Sequence, residues 1–82
     1  MIEVRFFAAA REAAGTSSEV RHEATVGELK SALVRDHPRL GPILGHCAVL
    51  VDGTRREDTH RLDGGGQDQI GPVDVLPPFA GG

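Results

Sequence analysis

The chain has 82 residues, 39% hydrophobic and 26% charged, with a formal net charge of −3. That length allows one small domain, which buries only about 60–65% of the surface its unfolded chain exposes. The acidic balance, without an Arg/Lys cluster interleaved with aromatics, argues against a nucleic-acid partner, and no run approaches the ~20 apolar residues of a membrane span.

Ile2-Glu3-Val4-Arg5-Phe6-Phe7 alternates apolar and polar up to an aromatic pair, the pattern of a half-buried strand. Neighbouring residues of a strand face opposite sides, so one of Phe6 and Phe7 faces the core and the other the exposed sheet face; the alternation Ile2, Val4, Phe6 favours Phe6 inward without deciding between them. This opening is not the basic flank and apolar run of a signal peptide, and the expected location is cytoplasmic. Ala8-Ala9-Ala10-Arg11-Glu12-Ala13-Ala14 has high helix propensity and stops at Gly15, a natural C-cap. Residues 17–23 read as a second strand, with Val20 as its clearest inward residue.

Thr25-Val26-Gly27-Glu28 is a capping box, with Thr25 as N-cap and Glu28 reaching back to it. Val26, Leu29, Ala32 and Leu33 then fall on one helical stripe. The helix must end near His37, because Pro38 disfavours helical geometry in the residue before it. Leu40, Ile43 and Leu44 lie in a Gly/Pro-broken segment, which suggests a short turn or 3₁₀ piece. Residues 46–51 form the most apolar strand candidate, and Asp52-Gly53 after them is a hairpin turn signal. The pair Arg55-Arg56, beside Glu57 and Asp58, reads as a solvated turn. A polar, loop-rich stretch precedes the last strand, Val73-Asp74-Val75-Leu76. The order β, short helix, β, capped helix, β, short strand, β implies an α+β fold of the ubiquitin-like β-grasp kind. It would have a mixed sheet of four to five strands, one main helix packed on one face, and a C-terminal tail. The domain is expected over residues 1–78, with residues 79–82 as tail.

The sequence closes on Pro77-Pro78-Phe79-Ala80-Gly81-Gly82. Prolines fix φ and remove two donors, so the last strand cannot continue through them. Gly81 and Gly82 have no Cβ and make a slender tip that fits a confined site, with a carboxylate at neutral pH. The bland alternative is a frayed terminus. Phe79 has two readings, closing the core or anchoring the tail in a partner's pocket. The lone cysteine, Cys47, excludes an internal disulfide, and with four scattered histidines it gives no metal-ligand spacing. In the most apolar strand it reads as a small hydrophobe rather than as a sulfur-bearing site.

Taken in order, the Ile2-to-Phe6 strand, Ala8-to-Gly15, Thr25-Val26-Gly27-Glu28-Leu29, Val49-Leu50-Val51-Asp52-Gly53 and Val75-to-Gly82 resemble the sulfur-carrier branch of the β-grasp fold, most closely the small subunits of molybdopterin synthase. Thiamine-pathway carriers resemble it less, being shorter and without the Pro-Pro. The segment 64–72 departs from the family as an apparent insertion, either a surface loop or an element that selects a partner.

The resemblance implies a chemistry centred on Gly82. A carboxylate is a poor electrophile, so a ubiquitin-activating-type adenylyltransferase joins the terminus to AMP at the expense of ATP, and a sulfur donor enzyme converts it to a thiocarboxylate. The large subunit of molybdopterin synthase would then receive the sulfur for a pterin precursor. On this reading the chain holds no cofactor permanently and has no complete active site of its own. It is a carried reactant whose site residues are Gly82 and Gly81, with Phe79, Ala80, Phe7, Pro77 and Pro78 for partner binding. The sheet face bearing Phe7 is where those partners dock. Three other functions stay open: a carrier for another sulfur-requiring pathway, a ubiquitin-like modifier forming isopeptide bonds through Gly82, and a β-grasp binding module with an incidental tail.

Overall fold

A computed structural model describes residues 1–62 and 71–78. Five strands and three helices follow one another as β1 (Ile2–Phe6), α1 (Ala8–Ala14), β2 (Ser18–Arg21), α2 (Val26–Asp36), a 3₁₀ turn (Pro38–Leu40), α3 (Gly41–Leu44), β3 (Ala48–Val51), β4 (Thr54–Arg55) and β5 (Val73–Leu76). The strands form one sheet in the order β2-β1-β5-β3-β4. β1 and β5 pair in parallel, Val4 beside Val73 and Phe6 beside Val75, and the other neighbours are antiparallel. This is the expected mixed sheet of the ubiquitin-like β-grasp.

Local chemistry accounts for the boundaries. α1 ends where Gly15 takes φ 76° and donates its N–H to the Arg11 carbonyl, a left-handed cap that glycine adopts without a Cβ clash. At the start of α2 the Thr25 hydroxyl accepts from the Glu28 N–H at 3.1 Å and donates to the Glu28 carboxylate at 3.3 Å. The helix stops at Asp36 and His37 is its C-cap, directly before Pro38. Asp52 and Gly53 both have positive φ, 51° and 82°, as a two-residue hairpin turn between twisted strands requires.

The core lies between the inner sheet face and α2. Ile2, Val4, Phe6, Val49, Val51, Val73 and Val75 come from the strands, and Val26, Leu29 and Leu33 from the helix. Leu40 and Leu44 close one side, and Leu62 enters from the polar stretch that offered no strand or helix pattern. Backbone bonds hold Leu62 there: its N–H reaches the Ala24 carbonyl at 2.6 Å, and Val26 N–H reaches His60 O at 3.0 Å. Gly27 permits this approach, since a Cβ there would lie 3.2 Å from the Asp58 Cβ.

Several sequence expectations need correction. Val20 faces outward and is 56% exposed. The register sets Glu19 opposite Val4 and Arg21 opposite Ile2, so the inward positions of β2 are charged. They are tolerated because Arg21 bonds Glu19 and Asp36, at 2.9 and 2.8 Å, and also Glu23, while Glu19 meets His37 at 2.7 Å. β2 thus closes its side of the core with ion pairs rather than with an apolar residue. Arg55 belongs to β4 rather than to a turn, and Cys47 precedes β3 by one residue. Most of the apparent insertion, residues 64–70, lies outside the described residues. Its far end is fixed: the Pro72 carbonyl accepts from Asp52 N–H at 2.9 Å. Among the described residues no helix is long and apolar enough to cross a membrane.

Candidate functional site

β5 determines where the C-terminal segment leaves the domain. It is hydrogen-bonded to β1 on one side and to β3 on the other, and Val73 and Val75 are fully buried beneath it. A strand so held is among the last parts of a fold to open, so it is a rigid stem. Leu76 pairs opposite Ala48, and the ladder can go no further because Pro77 and Pro78 have no N–H to donate. Pro77 is half-buried and Pro78 exposed, which fits a chain turning away from the sheet. Phe79, Ala80, Gly81 and Gly82 lie outside the described residues.

The sheet face opposite the core surrounds this stem. Register places Ser18, Arg5, Asp74, Leu50 and Arg55 in one row across all five strands. At its centre the Arg5 guanidinium donates to both Asp74 oxygens, Nε at 2.6 Å and Nη2 at 2.9 Å. This two-pronged bond is the geometry in which arginine and carboxylate interact most strongly. The same guanidinium carbon lies 6.0 Å from the Phe7 ring centroid. Phe7 is 39% exposed where Phe6 is 2% exposed, so the sequence expectation for the pair holds. Phe7 N–H bonds the Val75 carbonyl at 3.2 Å, which fixes its backbone beside the stem. With exposed Val20 and half-buried Leu50, Leu76 and Ala48, the face is a patchwork of apolar surface around one neutralised ion pair. Such a surface suits a protein partner, since aromatic and aliphatic contacts supply most of the binding energy and the paired charges fix orientation.

The structure brings Phe7, Pro77 and Pro78 to one end of the sheet, while Arg5 and Asp74 were missed in the sequence. Their partnership depends on pairing between strands 69 residues apart, for which a single sequence gives no local signal. Cys47 is only 5% exposed, and its thiol donates to the Ile43 carbonyl at 3.3 Å. Burial pushes the thiol up from its ordinary pKa, which disfavours the nucleophilic thiolate. Among the described residues no group of His, Cys, Asp or Glu is arranged to hold a metal ion.

The profile of the ThiS family matches residues 4–82, from the first strand through the Gly-Gly pair. The chain belongs to the ThiS family. Among its relatives, small archaeal modifier protein 3 of Haloferax volcanii is 38% identical, with 99% of this chain and 98% of that protein covered. The crystal structure of SAMP1 from Haloferax volcanii has 28% identity and a TM-score of 0.74, covering 99% of this chain and 98% of that one. Subunit 1 of the molybdopterin-converting factor of Helicobacter pylori, solved as a complex with subunit 2, has 24% identity and a TM-score of 0.68, covering 99% and 97%. That last likeness speaks to the fold. ThiS-family membership and the β-grasp architecture therefore agree with the resemblance read from the sequence.

Proposed function

We propose that this ThiS-family protein is a sulfur carrier whose Gly82 carboxylate is activated by a partner enzyme and converted to a thiocarboxylate. The observation that carries the reading is the family match running unbroken through Gly81 and Gly82, behind a stem that ends in Pro77-Pro78. In the first step a Gly82 oxygen attacks the α-phosphorus of ATP in the active site of an adenylyltransferase. Pyrophosphate leaves, and the resulting mixed anhydride makes the carbonyl carbon electrophilic. Hydrosulfide released by a donor enzyme then attacks that carbon, AMP departs with the electron pair, and loss of the S–H proton to solvent leaves the thiocarboxylate. The chain's own contribution is steric and positional. Gly81 and Gly82 keep the tip narrow, β5 holds its base, and the face bearing Phe7 docks the partner.

Donation to a pterin precursor on the large subunit of molybdopterin synthase is the pathway we favour, on the pattern of the converting-factor relatives. A second reading has a specific observation behind it, because the 38% identical relative is a small archaeal modifier protein. In that case an amine on a target protein, rather than sulfur, displaces AMP. Both readings share the adenylate and part after it. Intact-mass spectrometry of the protein incubated with adenylyltransferase, ATP and a sulfur donor separates them. Replacement of one oxygen by sulfur supports the carrier, and isopeptide adducts on other proteins support the modifier. Deleting Gly82 abolishes both products while leaving the fold and partner docking in place. Product formation by the deletion variant would refute the assignment.

A further inference from the structure

Of the nine basic residues in the sequence, Lys30 is the one lysine and the others are arginines. The distinction matters for a protein whose terminus becomes an acylating agent. A guanidinium stays protonated and does not accept acyl groups, whereas a lysine amine does once it has lost its proton. An all-arginine surface with one exception leaves a single side-chain amine for transfer between copies of the chain.

The structure shows that amine restrained. Lys30 projects from α2 beside the buried Leu29, and its Nζ lies 2.7 Å from Asp58 Oδ1. Its side chain is 33% exposed, so the amine is reachable, and Asp58 is 65% exposed. The pair lines an open groove of about 560 Å³ together with Val49, Arg55, Arg56 and Thr59. Asp58 is not held by this ion pair alone, because its carbonyl accepts from the Gly27 N–H at 2.9 Å. The carboxylate is therefore carried on backbone fixed to the helix that bears the lysine. Attack by Nζ requires this contact to break.

We infer that Lys30 is the acceptor through which one copy of this chain becomes joined to another, and that Asp58 restrains that reaction. The inference rests on the modifier reading. Deprotonated Nζ attacks the Gly82 carbonyl carbon of an adenylated second copy. The C–N bond forms, the C–O bond to AMP breaks, AMP leaves with the electron pair and the amine proton passes to solvent. No oxidant or reductant is needed, and the products are homotypic chains of one linkage type.

Two assays on the full chain test this with wild type, Asp58→Asn and Lys30→Arg. The first uses a limiting amine-reactive acyl ester and peptide mapping, with the Met1 amine as internal reference. Asp58→Asn raises the acylation rate at Lys30 about twofold to fivefold, the range an exposed ion pair supplies; an unchanged rate overturns the restraint. The second adds adenylyltransferase and ATP. A dimer carrying a Gly82–Lys30 isopeptide, increased in Asp58→Asn and absent in Lys30→Arg, supports the inference. A dimer that persists in Lys30→Arg, maps to Met1, or fails to form in Asp58→Asn although adenylate is present overturns it. Absence of adenylate in every variant refutes the proposed activation of Gly82 instead, and the ester assay then still decides whether Asp58 restrains Lys30. Unchanged circular dichroism of the variants excludes misfolding as the cause.

Discussion

Phe6 and Phe7 are chemically identical neighbours with opposite duties, and exchanging them for smaller residues separates stability from docking. Phe6 is 2% exposed and meets His37 edge-on with ring centroids 6.0 Å apart. Truncating a buried phenylalanine to alanine costs about 3–5 kcal/mol. A domain of this length has roughly 4–12 kcal/mol of total stability, at ~0.05–0.15 kcal/mol per residue. Phe6→Ala therefore removes a large share of it, and Phe6→Leu is the better probe, losing about 1–2 kcal/mol and lowering Tm by roughly 4–15 °C. Phe7→Leu forfeits surface contact and a cation–π contact with Arg5, about 0.5 kcal/mol. Urea denaturation followed by circular dichroism reads both changes, with an unaltered slope showing that the denatured state is the same. In pull-down with the adenylyltransferase the order reverses: Phe7→Leu weakens binding while Phe6→Leu binds as wild type. Equal losses of stability for the two variants would refute the assignment of the faces, and undiminished binding by Phe7→Leu would refute the docking role.

Thr25→Ala removes the hydroxyl that caps α2 and is expected to cost about 1 kcal/mol in the same denaturation assay, whereas Thr25→Ser retains most of it. Asp36→Asn tests the acid limb of stability. Hydrogen bonds from Arg35 and then Arg21 hold the Asp36 carboxyl down to about 2, from an ordinary 3.8. A depressed carboxylate stabilises the fold above its unfolded value and loses that contribution as pH falls through the folded one. Wild type and Asp36→Asn should therefore differ in Tm near pH 5 and converge between pH 3.8 and 2; a constant difference across that window would contradict the ion-pair account.

The parts of this fold written in local chemistry were legible in the sequence. The Thr25 cap, the Gly15 stop, the Pro38 boundary and the Asp52-Gly53 turn each depend on a few adjacent residues, and each is found where the sequence puts it. For Phe6 and Phe7 the alternation over three apolar positions of β1 only favoured Phe6 as the inward residue, and the structure decides it. Val20 shows where that reasoning ends. As the one strongly apolar residue of its segment, it invited an inward assignment that a single residue cannot support. Which face of an edge strand is inner depends on its partner's register, and here charged Glu19 and Arg21 occupy it through bonds to α2 and its cap. Leu62 was missed for a related reason, because one leucine in a polar run has no period, and backbone bonds to Ala24 bring it inward. The stem was legible as a strand. The Arg5–Asp74 pair beside it was not, since it exists only once the outer strands of the sequence meet.

That meeting fixes an order of events during synthesis. β5 lies between β1 and β3, so the hairpins β2-β1 and β3-β4 share no hydrogen-bonded ladder until residues 73–76 are available. Contacts so distant in sequence are the slow ones to form. The strand that completes the sheet is also the one that leads into Pro77-Pro78 and the two glycines. The two glycines are consequently translated only after every residue that the described sheet requires. The same strand contributes Asp74 and Leu76 to the face around the base of the tail, and with Asp74 the partner of Arg5. A partner that recognised this face would meet only chains whose sheet is complete, because a chain ending before residue 73 lacks both the Arg5–Asp74 pair and the glycines.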